Sequence, residues 1–395
     1  MTRLTADLPG IGGTYKETAE TFQVEEIPLY PCCGAGEHLY LWIEKSGITT
    51  RELIHQLARG LKLNEREIGY AGLKDARALT RQMISVPATK ADPAEKLNSK
   101  DFRILKIDRH SNKLRLGHLA GNRFTIRLQD TVPEPALRAR PIIDVLARRG
   151  VPNLFGEQRY GVLGNSARLG MLLLQQHFDA FCSAWIGEPE LIRNPQWKKA
   201  AEAYRQGDLQ QALADLPGRM RDEQRLLQKL LAGQSCRDAV LSLPRNLLRL
   251  FLSAAQAALF DRLVLGRMPD LDRLVDGDIA YKHNNGACFR VANAATEQPR
   301  ADGFDISPTA PLFGSKTMMA DGTPGKRERA LLLEQELSEN SWKLGDGLTM
   351  TGERRPMRVP LTDARIIASG EREITMEFTL PKGSYATSVL GEIMK

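Results

Sequence analysis

Sequence typical of β-strands lies at both ends of this chain, and a long segment with helical periodicity separates the two ends. Residues 22–27, 39–43 and 374–380 alternate apolar with polar side chains, as half-buried strands do. The intervening segment carries helical stretches at 165–185, 198–213 and 245–267. Because strand-like sequence resumes only after it, we predict an α+β fold in which a helix-rich domain, residues 153–355, is inserted into a domain formed by residues 1–152 and 356–395.

Local signals predict several shorter elements. Thr49 and Glu52 have the spacing of a helix capping box, and the apolar residues that follow lie on one helical face: Leu53, Ile54, Leu57 and Leu61. Residues 82–86 and 123–129 are interpreted as strands, and 388–394 as a short last helix. The stretch 284–323, rich in Gly, Pro, Asn and Asp, predicts irregular loops. Two glycine clusters, 10–13 and 322–326, lack the context of nucleotide-binding loops and are also interpreted as loops.

Composition bounds the class of protein. With 42% hydrophobic and 26% charged residues, the chain is typical of a globular protein with a packed core. Its five cysteines form no Cys-x-x-Cys pair and its six histidines show no zinc-binding spacing, so we expect neither disulfides nor a metal site. Residues 1–13 lack the pattern of a signal peptide, and no run of about 18 uncharged apolar residues occurs. These features favour a cytoplasmic protein that does not span a membrane.

The charge distribution favours a polyanionic partner. Lys and Arg number 55 against 48 Asp and Glu, a formal net charge of +7. Between residues 106 and 127 the acid Asp108 stands among six cations, a concentration suited to a phosphate backbone: Lys106, Arg109, Lys113, Arg115, Arg123 and Arg127. A solvated basic face would give the same pattern, so charge alone leaves both interpretations open.

One acid, Asp75, stands among cations just after a glycine-containing turn. Gly69 and Gly72 would permit backbone angles or close approaches that a side chain forbids. The neighbouring cations Lys74, Arg77 and Arg81 would favour an ionised carboxylate and attract phosphate. The arrangement is typical of a working carboxylate, although a solvated turn with surface ion pairs fits the charge pattern too.

The Asp75 turn belongs to a series of motifs that runs along the chain. Residues 69–75 read Gly-Tyr-Ala-Gly-Leu-Lys-Asp, and Ala78, Thr80 and Gln82 follow. Further blocks are Phe22-x-Val24-x-Glu26, 113–117, Gly121-Asn122-x-Phe124, 151–161, 275–278 and 380–387. From about residue 16 to 392 this series resembles the TruD family of pseudouridine synthases, which convert one uridine of tRNA to pseudouridine. The resemblance thins between 185 and 245 and between 282 and 348.

The resemblance implies a mixed-sheet pseudouridine synthase catalytic domain with an inserted TRUD domain. It implies an isomerase that converts uridine 13 in the D arm of certain tRNAs, with Asp75 at the position of the catalytic residue. The reaction breaks the bond from N1 to the ribose and rejoins the uracil through C5 without redox change, so no metal or organic cofactor is expected. It needs one ionised carboxylate, to attack C1′ or to remove a proton at C2′. The expected partner is tRNA, with no obligatory protein partner.

A flipped uridine must be held by stacking and by bonds to its polar edge. The resemblance places Phe22, Asn122 and Tyr385 in the uracil pocket, with Phe124 in the same motif as Asn122. Phenylalanine is usual at the position of Tyr385. The family's active-site lysine matches Lys16, our first candidate for the cation beside Asp75, ahead of Lys74, although either could bind phosphate instead. Without the resemblance, Phe22 and Phe124 would be interpreted as core residues, because each lies on an apolar strand face.

Further residues are candidate RNA contacts: Lys74, Arg77, Arg115, Arg123, Gln158 and Arg159. Gln158 and Arg159 follow Gly156 in a turn where the insertion begins, and they could organise a hinge instead. Two alternatives to modification of tRNA position 13 stay open. The first is a synthase of the same family that acts on another RNA, and the second is an RNA-binding or chaperone protein in which Asp75 is only structural.

Overall fold

The computed structural model describes residues 3–395 except positions 16, 17, 96, 98, 162 and 346, and it describes only the backbone at 92, 157 and 158. The described chain forms two compact units. The first consists of Arg3–Pro152 and Val359–Lys395, and the second of Asn153–Arg358. Each unit has its own hydrophobic core, and the first combines helices with a mixed sheet, which confirms the α+β class.

The described residues form fifteen β-strands and thirteen α-helices. The described residues up to Pro152 form β1 (Gly12–Thr14), β2 (Phe22–Pro28), β3 (His38–Lys45), α1 (Thr50–Leu61), β4 (Gly69–Tyr70), β5 (Leu79–Pro87), α2 (Ala91–Glu95), β6 (Phe102–His110), β7 (Leu119–Thr131), α3 (Pro135–Arg149) and β8 (Val151–Pro152). The next segment forms α4 (Ser166–Leu174), α5 (Phe178–Ile186), α6 (Pro195–Arg205), α7 (Leu209–Asp215), α8 (Arg221–Leu231), α9 (Cys236–Leu241), α10 (Arg245–Arg267), β9 (Ile279–Lys282), β10 (Cys288–Arg290), α11 (Ala294–Asp302), β11 (Ile306–Leu312), α12 (Gly322–Glu334) and β12 (Glu353–Pro356). The chain ends with β13 (Arg358–Val359), β14 (Thr362–Ser369), β15 (Ile374–Pro381) and α13 (Ala386–Met394).

The sheet of the first unit brings the two ends of the chain together. Its strand order is β14-β15-β7-β2-β5-β3-β6, with β1 beside β7 and β4 beside β5. Strands β2 and β5 run parallel, whereas β7 is antiparallel to both β2 and β15. The register places Asn122 of β7 between Glu26 of β2 and Leu380 of β15. Motifs from three distant parts of the sequence therefore lie side by side.

Strand alternation gives this sheet an apolar face that helices cover. Around β7 and β15 the covering helices are α3 and α13, and the core there includes Ile126, Ile142, Phe378 and Val389. Around β3 and β5 the covering helix is α1, and the core includes Leu41, Leu53, Leu57 and Ile84. The second unit packs its helices around a separate apolar core and carries an antiparallel sheet of order β10-β9-β11-β12.

The strand predictions are confirmed, because β2, β3, β5, β7 and β15 contain the five predicted segments. The capping box is confirmed as well. The Thr49 hydroxyl accepts a hydrogen bond from the Glu52 N–H at 3.2 Å, and the Glu52 carboxylate accepts one from the Thr49 N–H at 2.6 Å. Helix α10 has the predicted bounds, and α13 begins two residues before the predicted start.

The helical periodicity missed two breaks in the second unit. Residues 165–185 form α4 and α5, because Gln176 adopts a left-handed φ of 60° between them. Residues 198–213 span parts of α6 and α7, which meet at Gly207 with a φ of 84°. A continuous apolar pattern does not reveal such a turn, since both helices bury the same kind of face.

The loop predictions were wrong in three places. Residues 284–323 contain β10, α11 and β11. Asn293 caps α11 by accepting a hydrogen bond from the Thr296 N–H at 3.0 Å, and Pro308 stays within β11, where its carbonyl accepts a bond from the Met357 N–H at 2.9 Å. Residues 322–326 begin α12. The last two residues of the 10–13 cluster belong to β1, which pairs with β7. Gly, Pro and Asn serve here as caps and strand residues rather than as loop formers.

Candidate active site

The turn that carries Asp75 connects β4 to β5, and its backbone is fixed by hydrogen bonds to the start of α1 and to the loop before it. The Thr50 hydroxyl accepts a bond from the Lys74 N–H at 2.8 Å, and the Thr50 N–H lies 3.3 Å from the Lys74 carbonyl. The Gly47 N–H donates to the Ala76 carbonyl at 2.9 Å. The Asp75 residue itself is exposed. A carboxylate on a fixed turn can therefore meet a substrate from solvent.

A buried lysine holds the same turn. The ammonium group of Lys45, the last residue of β3, donates hydrogen bonds to the carbonyl oxygens of Ile48 at 2.8 Å and Asp75 at 2.9 Å. Only 1% of Lys45 is exposed. Burial lowers the pKa of Lys45 to about 8, and the nearby Asp75 carboxylate acts in the opposite direction.

The cation that precedes Asp75 in sequence points inward. The Lys74 ammonium group donates a hydrogen bond to the Asn122 side-chain oxygen and lies 3.4 Å from the Glu26 carboxylate. These lysine and glutamate side chains are 7% and 1% exposed. Burial raises the pKa of Glu26 and lowers that of Lys74, while the attraction between the two charges opposes both shifts. Lys74, Asn122 and Glu26 thus form one buried polar cluster next to the Asp75 turn.

Phe22 and Phe124 lie further along β2 and β7, on the sheet face that also carries Glu26 and Asn122. Phe22 is half-buried at the start of β2, and its ring centroid lies 6.4 Å from that of Phe124 and 6.1 Å from that of Tyr15. Phe124 is 7% exposed and belongs to the apolar core, where its ring packs 5.6 Å from Phe378. The structure therefore gives the two phenylalanines different surroundings, with Phe22 nearer to solvent.

Tyr385 lies in the turn between β15 and α13, and it is half-buried. The end of β15 pairs with the start of β7, so that Leu380 is opposite Asn122, and the Lys382 N–H donates to the Ala120 carbonyl at 3.1 Å. This pairing brings the turn that contains Tyr385 close in space to the β7 residues that precede Asn122.

The glycines of the turn differ in what they require. At Gly69 an added Cβ would lie 2.3 Å from the Leu114 carbonyl oxygen, so the predicted close approach is confirmed. At Gly72 the nearest atoms would be the Glu26 carboxylate and the Lys74 ammonium, both at 3.7 Å, and its φ is not positive. The expectation of a special requirement at Gly72 was therefore wrong.

The predicted basic residues of the first unit differ in exposure and in pairing. Arg77 and Arg115 are exposed. Arg123 alternates with Asn122 along β7 and hence lies on the other sheet face, where it forms a 3.8 Å ion pair with Glu25. Arg81 shares that face and pairs with Glu25 and Glu44.

The second unit contains a basic cavity of about 440 Å³ that includes one predicted residue, Arg159. The guanidinium group of Arg159 donates a hydrogen bond to the Ser253 hydroxyl and lies 5.7 Å from the Phe155 ring centroid. Arg249 and Arg355 also line the cavity, together with the exposed carboxylate of Glu353. Gln158 lies in the short helix Glu157–Tyr160, and its side chain is outside the described part of the structure. The whole of Lys16 lies outside the described residues.

Two residues of the site, Lys45 and Thr50, were missed by sequence reasoning, and Glu26 was recognised only as part of a motif. A signal for Lys45 was present, since strand alternation puts it on the same face as the buried Leu41 and Ile43. Nothing in the sequence shows that its partners are main-chain carbonyls. Among the described residues, no cluster of three or more His, Cys, Asp or Glu side chains is arranged to hold a metal ion, and no helix has the length and apolarity to cross a membrane.

Comparison with known proteins identifies the chain. The family model of tRNA pseudouridine synthase D (TruD) matches residues 1–393. The tRNA pseudouridine synthases D of Syntrophotalea carbinolica and Geobacter metallireducens are 54% and 50% identical to it, over 99% of this chain and 98% and 97% of theirs. The crystal structure of the TruD protein from Methanosarcina mazei superimposes with a TM-score of 0.84 at 29% identity, over 98% of this chain and 94% of that one.

Fold and relatives together define a pseudouridine synthase. Within that class, the chain belongs to the tRNA pseudouridine synthase D (TruD) family.

Proposed function

We propose that this protein isomerises uridine 13 in the D arm of tRNA to pseudouridine and that Asp75 is the catalytic carboxylate. Family membership supports the reaction class and the tRNA substrate. The observation that carries the assignment of Asp75 is its exposed position on a turn whose backbone is fixed at Lys74, Asp75 and Ala76. Position 13 rests on the resemblance of the sequence motifs.

In the proposed reaction the bond between uracil N1 and ribose C1′ breaks, the uracil rotates, and a bond forms between C5 and C1′. Asp75 either attacks C1′, forming an ester bond that breaks when C5 bonds to C1′, or removes a proton from C2′ and returns it when C5 bonds to C1′. In both cases it must be ionised and close to the ribose. C5 loses its proton when the ring regains its conjugation, and N1 carries a proton in the product. The number of protons in the base is therefore unchanged. No oxidant or reductant takes part.

The polar cluster gives Asn122 a defined role in this proposal. Because an ammonium group only donates hydrogen bonds, Lys74 fixes the Asn122 oxygen toward itself, which leaves the Asn122 amide N–H groups to donate to a uracil carbonyl. Phe22 and Tyr385 would supply stacking surfaces for the flipped base. Phe124 would act through Phe22, against which it packs. Lys16 keeps its proposed place in the site from the sequence motif.

We propose that the first unit is the catalytic domain and that the second is the inserted TRUD domain. Arg77 and Arg115 are exposed and suited to phosphate contacts. The cavity that contains Arg159 is a further candidate contact, because its guanidinium groups outnumber its carboxylates. Lys74 and Arg123 are proposed RNA contacts of lower rank, since each already pairs with a glutamate.

The decisive experiment replaces Asp75 by Asn and maps pseudouridine in unmodified tRNA. An amide fits the same space but cannot act as nucleophile or base, so we expect loss of product while folding and tRNA affinity stay nearly unchanged. Asp144→Asn, an exposed position on α3, is the matched control and should leave the rate unchanged. Turnover of the Asp75 variant within about tenfold of the wild type would refute the catalytic assignment.

The same assay separates the alternatives. Pseudouridine at another tRNA position, or only in a different RNA, would support the proposed reaction and show that its target is not uridine 13 of tRNA. Tight tRNA binding by the wild type with no pseudouridine in any RNA tested would favour an RNA-binding protein.

A further inference from the structure

Lys45 makes unusual contacts for a buried lysine, because each of its described hydrogen bonds goes to the main chain. Its ammonium group donates to Ile48 and Asp75 at 2.8 and 2.9 Å, and the Lys74 carbonyl lies at 3.5 Å. Two of these three oxygens belong to the turn that carries Asp75. Burying an ammonium group is costly, and a methionine would fill similar space without that cost.

We propose that Lys45 is a positioning residue, which fixes the main chain of the Asp75 turn and thereby the place from which the Asp75 carboxylate reaches the ribose. The inference rests on the proposed function, since it takes Asp75 to be catalytic. Lys45 does not touch the substrate and acts through Asp75. Misplacement of a reacting group by about 1 Å can cost about a hundredfold in rate.

The surroundings of Lys45 also make its charge sensitive to pH just above neutrality. The charged groups that act on it are the carboxylates of Asp75 and Glu52, which favour the ammonium form, and Lys74, which disfavours it. Burial outweighs these and lowers the pKa of Lys45 to about 8. A neutral amine has lost one N–H donor and its charge, so the catalytic rate should fall as pH rises through this value.

Stability should respond to Lys45 in the opposite direction. Between pH 8 and the ordinary lysine value of 10.5, the unfolded chain binds more protons at this position than the folded chain does. The contribution of Lys45 to the free energy of unfolding therefore rises with pH over this window. A purely structural lysine would affect stability without giving the catalytic rate an alkaline limb.

The test compares Lys45→Met and Lys45→Gln with Lys100→Gln, an exposed lysine of the same unit, in single-turnover assays on unmodified tRNA. For Lys45→Met we expect the rate to fall about a hundredfold and tRNA affinity to change by less than about threefold. Lys45→Gln keeps one donor and should lose less. In both variants the alkaline limb near pH 8 should disappear, whereas Lys100→Gln should retain the wild-type profile.

Parallel measurement of Asp75→Asn separates this inference from the proposed function. If Asp75→Asn is active, the assignment of Asp75 fails whatever Lys45 does. If Asp75→Asn is inactive and Lys45→Met keeps the wild-type rate or its alkaline limb, only the inference about Lys45 is overturned. If Lys45→Met does not fold, the pH dependence of the wild-type rate still tests the inference. A rate that stays flat to about pH 9.5 would overturn it. A fall in rate that coincides with the NMR titration of the Lys45 ammonium would support it.

Discussion

Lysine side chains seldom leave water entirely, and this protein buries two of them around one aspartate. Lys45 binds main-chain carbonyls, and Lys74 binds Asn122 and Glu26. The two lysines therefore have different roles. Lys45 orders the turn that presents Asp75, and Lys74 orients the Asn122 amide of the proposed uracil pocket. Replacing either by arginine would not be conservative, because a planar guanidinium cannot match the same set of acceptors.

The tyrosine of the proposed pocket provides a test at the scale of one ring. Tyr385→Phe should be tolerated and Tyr385→Ala should not, because stacking on the uracil needs the ring face rather than the hydroxyl. Loss of one stacking platform costs roughly 1 to 3 kcal/mol, which corresponds to about a fivefold to 150-fold loss in single-turnover rate.

The affinity of the Tyr385 variants for whole tRNA should change far less than their rates, since most binding energy comes from backbone contacts outside the pocket. Single-turnover rates and dissociation constants measured for both variants check this. A fully active Tyr385→Ala enzyme would show that Tyr385 belongs to the core and not to the site.

At the scale of single residues, the sequence predicted the residues that belong to a motif. It did not predict the residues whose contacts depend on how the chain folds. Asp75 and Asn122 are candidates because the motifs contain them, and the pairing of Glu26 with Asn122 followed only from strand register. The inward turn of Lys74 could not be predicted, since adjacent charges in a sequence give no direction for their side chains. Lys45 is recognisable only as a charge on an apolar strand face.

At the scale of elements, the turn before Asp75 depends on the absence of one side chain. An alanine at Gly69 would place its Cβ 2.3 Å from the Leu114 carbonyl and 2.4 Å from the Ser85 hydroxyl, so β4 would have to move. We expect Gly69→Ala to lower the free energy of unfolding by about 1 to 3 kcal/mol and to impair catalysis through the turn.

Gly72→Ala is the matched control, because its new Cβ would meet its nearest neighbours at 3.7 Å, an ordinary contact distance. Chemical denaturation of both variants, followed by rate measurements, distinguishes the two glycines. Equal stability of the two variants would mean that the close approach at Gly69 does not constrain the fold.

Element prediction succeeded where packing follows a simple period and failed where it does not. The alternating strands and the capped helix α1 bury one face each, and their sequence displays that face directly. The elements within 284–323 are short and hold Pro and Gly at caps and strand positions, where these residues fit the hydrogen-bond pattern as well as they would in a loop.

At the scale of the whole molecule, the chain has a net charge of +7. Its basic side chains differ in how readily they could bind phosphate. Arg77 and Arg115 are exposed, whereas Arg123 and Arg81 already pair with carboxylates. In the second unit, Arg159 and Arg249 line a cavity with a guanidinium neighbour, Arg355. Phosphate contacts should come from the exposed and unpaired groups first, because a paired arginine must break its ion pair to bind RNA.

The affinity for tRNA should therefore fall steeply with salt, with a log–log slope of several units, as counterions are displaced from the RNA. Each arginine that contacts a phosphate contributes about one unit to that slope. Arg115→Ala should flatten it and weaken binding, and Arg123→Ala should have a smaller effect because of its ion pair with Glu25. Arg159→Ala combined with Arg249→Ala should act in the same way as Arg115→Ala if the cavity meets the RNA backbone.

Arg138→Ala is the matched control, since it removes one exposed charge from α3. Filter-binding titrations at four salt concentrations, using the inactive Asp75→Asn protein, measure the slopes without interference from turnover. If the slope of every arginine variant equalled that of the control, net charge alone would account for binding and no individual contact could be assigned. If binding were independent of salt, the electrostatic basis of RNA recognition would be refuted, and the exposed arginines would be solvated surface residues.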